Sequence, residues 1–255
     1  MNEESWFWVG AVGMALGAIA LFTYGKRRTS DEESHTVIHV LVPIVAACSY
    51  LAMARGQGGV EMPDGHVYFY ARYIDWSITT PLLLLGLCIT ALHGAHRRPA
   101  LVAAVLGADI VMIAAGFLSG ISTDPTNRWL WFLVSCGAFL ALYAALFGPL
   151  LTEARARDSD RRASYVSNTV VLAVLWLLYP VVVLLGPDGT GVWSATTNTA
   201  CLAVVDLLSK IGYGFLTTAT TKKVADADLA KGEVSPALTT THGVPSDAGV
   251  PPAAP

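Results

Sequence analysis

Lys210 lies deep inside an apolar run of this 255-residue chain, too far from either end of the run for its four-carbon stem to reach water. A cation stranded there must be balanced by charge close by. Asp206 stands four residues earlier, on the same face of any helix through that run. On a separate run Arg72 and Asp75 stand three apart, again on one face. Together the two cations and two carboxylates are neutral and can be buried as a set. An ionisable group at mid-bilayer costs at least about 2.5 to 3.5 kcal/mol, and apolar packing would register helices more cheaply. The chemistry open to such a set is that of a desolvated amine, which attacks an aldehyde to form a Schiff base while carboxylates hold or take its proton. Asp109 and His39 are further ionisable residues within apolar runs. Trp76, Trp176, Tyr179 and Pro180 fall at helical spacing near this set and suit a large flat ligand, with Pro180 opening the backbone ladder one turn after Trp176.

These residues need elements that keep them from water. The chain is 54% hydrophobic and 14% charged, where soluble domains carry roughly 25% charged residues, and its mean hydropathy is +0.53. A cytosolic enzyme is excluded, and the chain is expected to be no enzyme at all. The balance of 16 Lys and Arg against 19 Asp and Glu leaves no basic excess for a nucleic-acid partner. Cys48, Cys88, Cys136 and Cys201 sit inside apolar runs at spacings that fit no metal site, and read as packing residues.

A bilayer core about 30 Å thick needs roughly 20 mostly apolar residues as helix. Seven stretches qualify, near Trp6 to Tyr24, Thr36 to Ala54, Val67 to Leu92, Ala100 to Ile121, Trp129 to Leu150, Val166 to Gly186 and Val192 to Thr218. The fold class expected is an all-α membrane protein, a seven-helix bundle, because lipid offers no partner for open strand edges. Gly56 to Gly59, Pro63 to Gly65, Pro99, Pro125 and Gly186 to Gly191 punctuate the runs, and the short links favour antiparallel neighbours.

Basic residues set the orientation. Lys26, Arg27, Arg28, Arg97, Arg98, Arg155, Arg157, Arg161, Arg162, Lys222 and Lys223 fall in the odd loops and after the last span, against Arg55 and Arg128 in the even ones. By the positive-inside rule the N-terminus is outside and the C-terminus cytoplasmic, in a cell (inner) membrane. The first span lacks a basic flank and a small-residue cleavage site and reads as a retained helix. Residues 1–221 form the seven-helix domain. Residues 222–255 hold no aromatic residue and many prolines, and are expected to be a disordered cytoplasmic tail. His35, His93 and His96 are placed at cytoplasmic span ends and His66 at an outer one, as interfacial residues. Asp31 to Glu33 and Asp158 to Asp160 are expected to be solvated loop charges without a mechanistic role.

The stretch Arg72-Tyr73-Ile74-Asp75-Trp76-Ser77-Ile78-Thr79-Thr80-Pro81 resembles the third helix of the microbial (type 1) rhodopsins. Trp176-Leu177-Leu178-Tyr179-Pro180 resembles their sixth helix and Asp206-Leu207-Leu208-Ser209-Lys210 their seventh. Leu106 to Met112 around Asp109 resembles the fourth, and Pro43 with Ser49 to Met53 the second. The likeness spans roughly Glu4 to Thr220 and is strongest to bacteriorhodopsin-like proton pumps.

The resemblance implies all-trans retinal bound to Lys210 as a protonated Schiff base, with Asp75 as counterion and primary proton acceptor and Asp206 as second counterion. Arg72, Tyr50 and Tyr179 would hold that complex by charge and hydrogen bonds. Trp76, Leu83, Met112, Ser135, Phe139, Trp176, Tyr179, Pro180 and Ser209 would stand beside the chromophore, with Leu83 and Ser209 implying green absorption. Asp109 would be a protonated carboxyl bonded to Thr80. Asp75 with Thr79 one turn on is the pair that the proton pumps carry, whereas chloride pumps have a neutral residue and sodium pumps Asn at that first position. The function implied is light-driven outward proton pumping; the alternative is a sensor that signals through a partner protein. A homo-oligomer, trimer or pentamer, is expected in the bilayer.

Three departures from the family pattern carry expectations of their own. Where the pumps place a carboxylic donor, seven residues after Thr79, this chain has Gly86, the third member of an Asp75, Thr79, Gly86 signature. His39 or direct water entry would then serve as cytoplasmic relay. The outer glutamate pair of the family is matched by Asp188 and Asn198, so that one carboxylate remains on the release side. Phe132 stands where carotenoid-binding relatives have glycine, and no carotenoid antenna is expected.

Overall fold

In a computed structural model describing residues 2–63, 65–92 and 98–232, seven helices are long and apolar enough to cross a membrane. They are α1 (Glu3–Tyr24), α2 (Ser30–Ala54), α3 (Ala71–Leu92), α4 (Pro99–Ile121), α5 (Pro125–Arg155), α6 (Ser159–Leu185) and α7 (Ala195–Lys231). Most begin at a side chain that takes up an otherwise orphaned backbone N–H. Asn2 accepts from Ser5 N at 2.9 Å, Thr29 from Glu32 N at 3.2 Å, Asp124 from Asn127 N at 2.9 Å, Asp158 from Arg161 N at 2.9 Å and Ser194 from Thr197 N at 3.2 Å. α7 ends at Gly232, whose φ of 70° is a left-handed cap. Leu16, Ile19, Ile110, Leu133, Leu140 and Val174 are exposed large apolar side chains, as lipid-facing positions would be.

The helix pattern is as expected, with shifted ends. α2 starts at Ser30 rather than near Thr36, so Asp31 and Glu32 lie in its first turn. Glu32 is buried and pairs with Arg28 at 2.6 Å, and Arg28 also reaches Asp226 on α7 at 2.7 Å. Those two carboxylates hold the Arg28 guanidinium well above its ordinary value. Arg161 on α6 joins Asp228 of α7, Asp31 at 3.0 Å and Asp158 at 3.5 Å. Asp31, Glu32 and Asp158 are therefore not free solvated charges; through Arg161 and Arg28, Asp31 and Glu32 tie the start of α2 to α6 and α7, and Asp158 holds Arg161 from the cap of α6.

α7 also continues as helix through Lys231, past the Lys222 boundary expected for a disordered tail, because Thr221, Val224, Ala225 and Asp228 bury one face at helical spacing. Residues 233–255, and His93, His96 and Arg97, lie outside the described residues.

Val67 and Tyr68, expected to open the third span, instead form a strand. β1 (Val60–Glu61) and β2 (Val67–Tyr68) pair antiparallel, with Val60 opposite Tyr68. Gly58 precedes this hairpin at φ 71°, and a Cβ there would lie 2.5 Å from that of Ala71, so glycine is required on both counts. Tyr68 is fully buried and donates to Phe117 O of α4 at 3.2 Å, while His66 meets Asp188 of the α6–α7 link at 3.1 Å. The hairpin thus straps the end of the bundle where α1, α3 and α7 start.

Candidate functional site

Two departures from regular helix shape the centre. α7 loosens into a π-helical turn at Leu208–Gly212, which carries Ser209 and Lys210 inward. α6 breaks at Leu177, between helical stretches Ser159–Trp176 and Leu178–Leu185, because the Pro180 ring carries no N–H for the carbonyl of Trp176. Lys210, Asp75 and Asp206 are at most 2% exposed. Lys210 Nζ donates to Asp75 Oδ2, and to Asp206 Oδ1 at 2.9 Å. Tyr50 and Tyr179 each donate to Asp206 at 2.6 Å, and Tyr179 also meets Ser209 Oγ at 2.8 Å. The structure therefore brings together the lysine, both carboxylates and both phenols expected there. Thr79 Oγ1 donates to the backbone carbonyl of Asp75 at 2.9 Å, pinning that turn of α3.

A pocket opens beside the lysine, with about 820 Å³ of space between atoms when its open mouth is counted. Lys210, Trp76, Thr80, Leu83, Met112, Ser135, Phe139, Trp176, Tyr179, Pro180 and Ser209 line it, all of them residues singled out from sequence. Its walls suit a long apolar ligand joined at Lys210, being aromatic and aliphatic with a few placed hydroxyls. Gly116 widens it: a Cβ there would come 3.2 Å from Tyr73 and 3.4 Å from Ser135 Oγ. The buried Trp76 indole N–H has no partner among the described residues. A retinal-sized polyene fits these features.

Tyr50 and Asp109 do not line the cavity. Tyr50 reaches the Asp206 carboxylate instead, and Asp109 stands behind Thr80. Thr80 Oγ1 lies 2.7 Å from Trp76 O and 2.8 Å from Asp109 Oδ2. A hydroxyl has one hydrogen and a carbonyl has none to give, so serving both contacts at once takes a hydrogen from the Asp109 carboxyl, in keeping with a protonated acid.

Arg72 is placed differently from expectation. Its guanidinium donates through Nη2 to Thr199 Oγ1 at 2.9 Å and, among the described residues, to neither carboxylate. The rings of Phe69 and Phe7, 5.3 and 5.7 Å from its Cζ, take up its other faces.

On the other side of Lys210, His39 Nε2 lies 2.7 Å from Thr217 Oγ1 of α7. His35, read from sequence as interfacial, is only 3% exposed and stacks on His39 with centroids 5.9 Å apart, its Nε2 3.2 Å from Thr90 Oγ1. The earlier start of α2 places His35 one turn inside. Both rings face Gly86, where an added Cβ would stand 3.7 Å from His35 and 4.0 Å from His39. The four-residue spacing of the two histidines, one helical turn, is the sequence signal that could have paired them. Ile113, Gly116 and Ser119 on α4 and Phe132 and Cys136 on α5 also line the cavity. Ile113, Gly116 and Ser119 were legible only as neighbours of Met112 along α4, whereas Phe132 and Cys136 stood out in the sequence for other reasons, the carotenoid position and packing. Asp188 is held by His66, and Asn198 is buried beside Gly186.

Residues 1–224 match the family model described as bacteriorhodopsin-like protein. The chain belongs to the microbial rhodopsins. This rhodopsin is 36% identical over 219 residues to a bacteriorhodopsin of Haloterrigena sp. (strain arg-4), covering 84% of this chain and 86% of that one. It is 35% identical over 210 residues to sensory rhodopsin-2 of Natronomonas pharaonis, covering 82% and 85%. The crystal structure of thermophilic rhodopsin from Rubrobacter xylanophilus superposes with a TM-score of 0.83 at 36% identity, covering 88% of this rhodopsin and 98% of that chain. The rhodopsin is a multi-pass membrane protein.

Proposed function

We propose that this rhodopsin is a light-driven outward proton pump of the cell (inner) membrane, oriented with its N-terminus outside as the basic residues direct. All-trans retinal, held covalently on Lys210 as a protonated Schiff base, would supply the absorption of light and the change of shape that starts the cycle. The observation that carries the reading is the contact of Lys210 Nζ with Asp75 Oδ2. Asp206 already accepts from Tyr50, Tyr179 and Lys210, whereas Asp75 Oδ1 receives no donor among the described residues. Asp75 is thus the carboxylate with room to take the proton: the N–H bond at Lys210 breaks and an O–H bond forms on Asp75. Asp206 stays charged and holds the balance of the site.

Toward the cytoplasm, Gly86 has no proton to give, and His39 with His35 beside it supplies titratable nitrogens at the same depth. His39 hands a proton to Lys210 Nζ and is replenished from the cytoplasmic side. A sensor is the second reading, favoured by the likeness to a sensory rhodopsin and by the absence of a carboxylic donor at Gly86.

Cells expressing the protein with added retinal, illuminated in unbuffered medium, separate the two. Acidification abolished by a protonophore is expected; visible colour without any pH change would favour the sensor.

A further inference from the structure

From Arg72, which stands three residues before Asp75 on one face of α3, a line of hydrogen bonds leads to the end of the bundle where α1, α3 and α7 start. Arg72 Nη2 donates to Thr199 Oγ1 at 2.9 Å, and Thr199 Oγ1 donates to Glu3 Oε1 at 2.9 Å. Thr199 is 1% exposed, so this hydroxyl bridges the interior to α1 away from water, while Glu3 at the start of α1 is partly exposed. Phe7, four residues after Glu3 and so on the same helix face, packs its ring against the Arg72 guanidinium, 5.7 Å from Cζ. One face of α1 therefore meets Arg72 directly through the Phe7 ring and, by way of the Thr199 hydroxyl, through the Glu3 carboxylate. The two positions that carry the family's outer carboxylates cannot do this work together. Asn198 does not ionise, and Asp188 is held by His66 at 3.1 Å on the strapping hairpin.

We propose that Glu3 is the carboxylate at which the transported proton leaves the protein, reached through Thr199 under the charge of Arg72. This rests on the pump reading. The O–H bond of Asp75 breaks and its proton moves outward. The Thr199 hydroxyl passes its own hydrogen to Glu3 Oε1 as it takes up the arriving one, and the new O–H bond on Glu3 then breaks to give its proton to external water. Arg72 keeps all its protons throughout; its charge orients the hydroxyl and repels a proton that lingers.

The test is proton release timed with an external pH-sensitive dye after a flash, in the full-length protein with retinal, alongside infrared difference spectra of carboxyl bands. Glu3→Gln is expected to retain colour and to delay release by about a hundredfold, the low end of what a positioned proton carrier contributes, and to lose one carboxyl band. Thr199→Val should produce the same delay with Glu3 intact, and Glu3→Asp should restore much of the timing, which a merely structural first-turn role would not require. Release on the original schedule in Glu3→Gln, with net pumping under continuous light intact, would overturn this proposal alone. Colour without any light-driven proton movement in the unmutated protein would overturn the pump reading and this one with it.

Discussion

Asp75 and Asp206 share Lys210 yet differ in what else they hold, and this difference assigns their roles. Two phenols and the ammonium donate to Asp206, while Asp75 has the ammonium and one oxygen that meets no donor among the described residues. Asp75→Asn should therefore keep the cavity and the colour and abolish light-driven acidification of the medium; continued acidification would mean that Asp206 or another group accepts the proton. At this scale the site was largely legible, because an ionisable residue in an apolar run announces itself by its cost. Lys210, Asp75, Asp206 and Asp109 were found in that way. Aromatic Trp76, Trp176 and Tyr179 were named by their spacing to that set. Glu3 and His35 were not, since both fall near helix ends, where sequence alone reads a charged or polar residue as wet. What tied them to the bundle was a contact from a distant helix, Thr199 for the partly exposed Glu3 and Thr90 for the buried His35.

Helix distortion, more than helix existence, builds this site. The π turn at Leu208–Gly212 and the break at Leu177 lie on facing helices and both border the cavity. Pro180 marked the second in the sequence, but nothing local to Leu208–Gly212 marked the first, because a π turn is settled by packing against neighbours. The β1–β2 hairpin was hidden for a similar reason: Val67-Tyr68-Phe69-Tyr70 adjoins an apolar helix and continues its hydropathy, and only pairing with Val60-Glu61 separates it. On α2 and α3 the missing side chain of Gly86 leaves space that the two histidine rings border. If that arrangement carries the returning proton, His39→Ala should slow recovery of the dark state by about a hundredfold, as followed by flash absorption. Recovery unchanged across pH would remove His39 from the path and leave water entry in its place.

Across the whole molecule, the two ends of the bundle are closed in different ways. The end that bears Glu3 is strapped by a hairpin and the His66–Asp188 contact, whereas the opposite end is clasped by Arg161 with Asp31, Asp158 and Asp228 and by Arg28 with Glu32 and Asp226. Arg161 is mostly buried, and its loss would leave Asp228 facing inward unpaired. Arg161→Ala is expected to destabilise the protein by about 3 kcal/mol, the low end for breaking a buried pair, seen as a lower midpoint of thermal bleaching; an unchanged midpoint would show that the clasp holds nothing. The seven spans themselves were legible from hydropathy and breakers. Their ends were not, since caps such as Thr29 and the buried face of α7 beyond Lys222 extend helix into sequence that composition alone assigns to loop and tail. Everything functional depends on Lys210 as the point of attachment. The most direct measurement is the visible absorption of purified protein given all-trans retinal, compared with Lys210→Ala treated alike. A visible band in the first and none in the second is the predicted result; an identical band in both would contradict the assignment of the site.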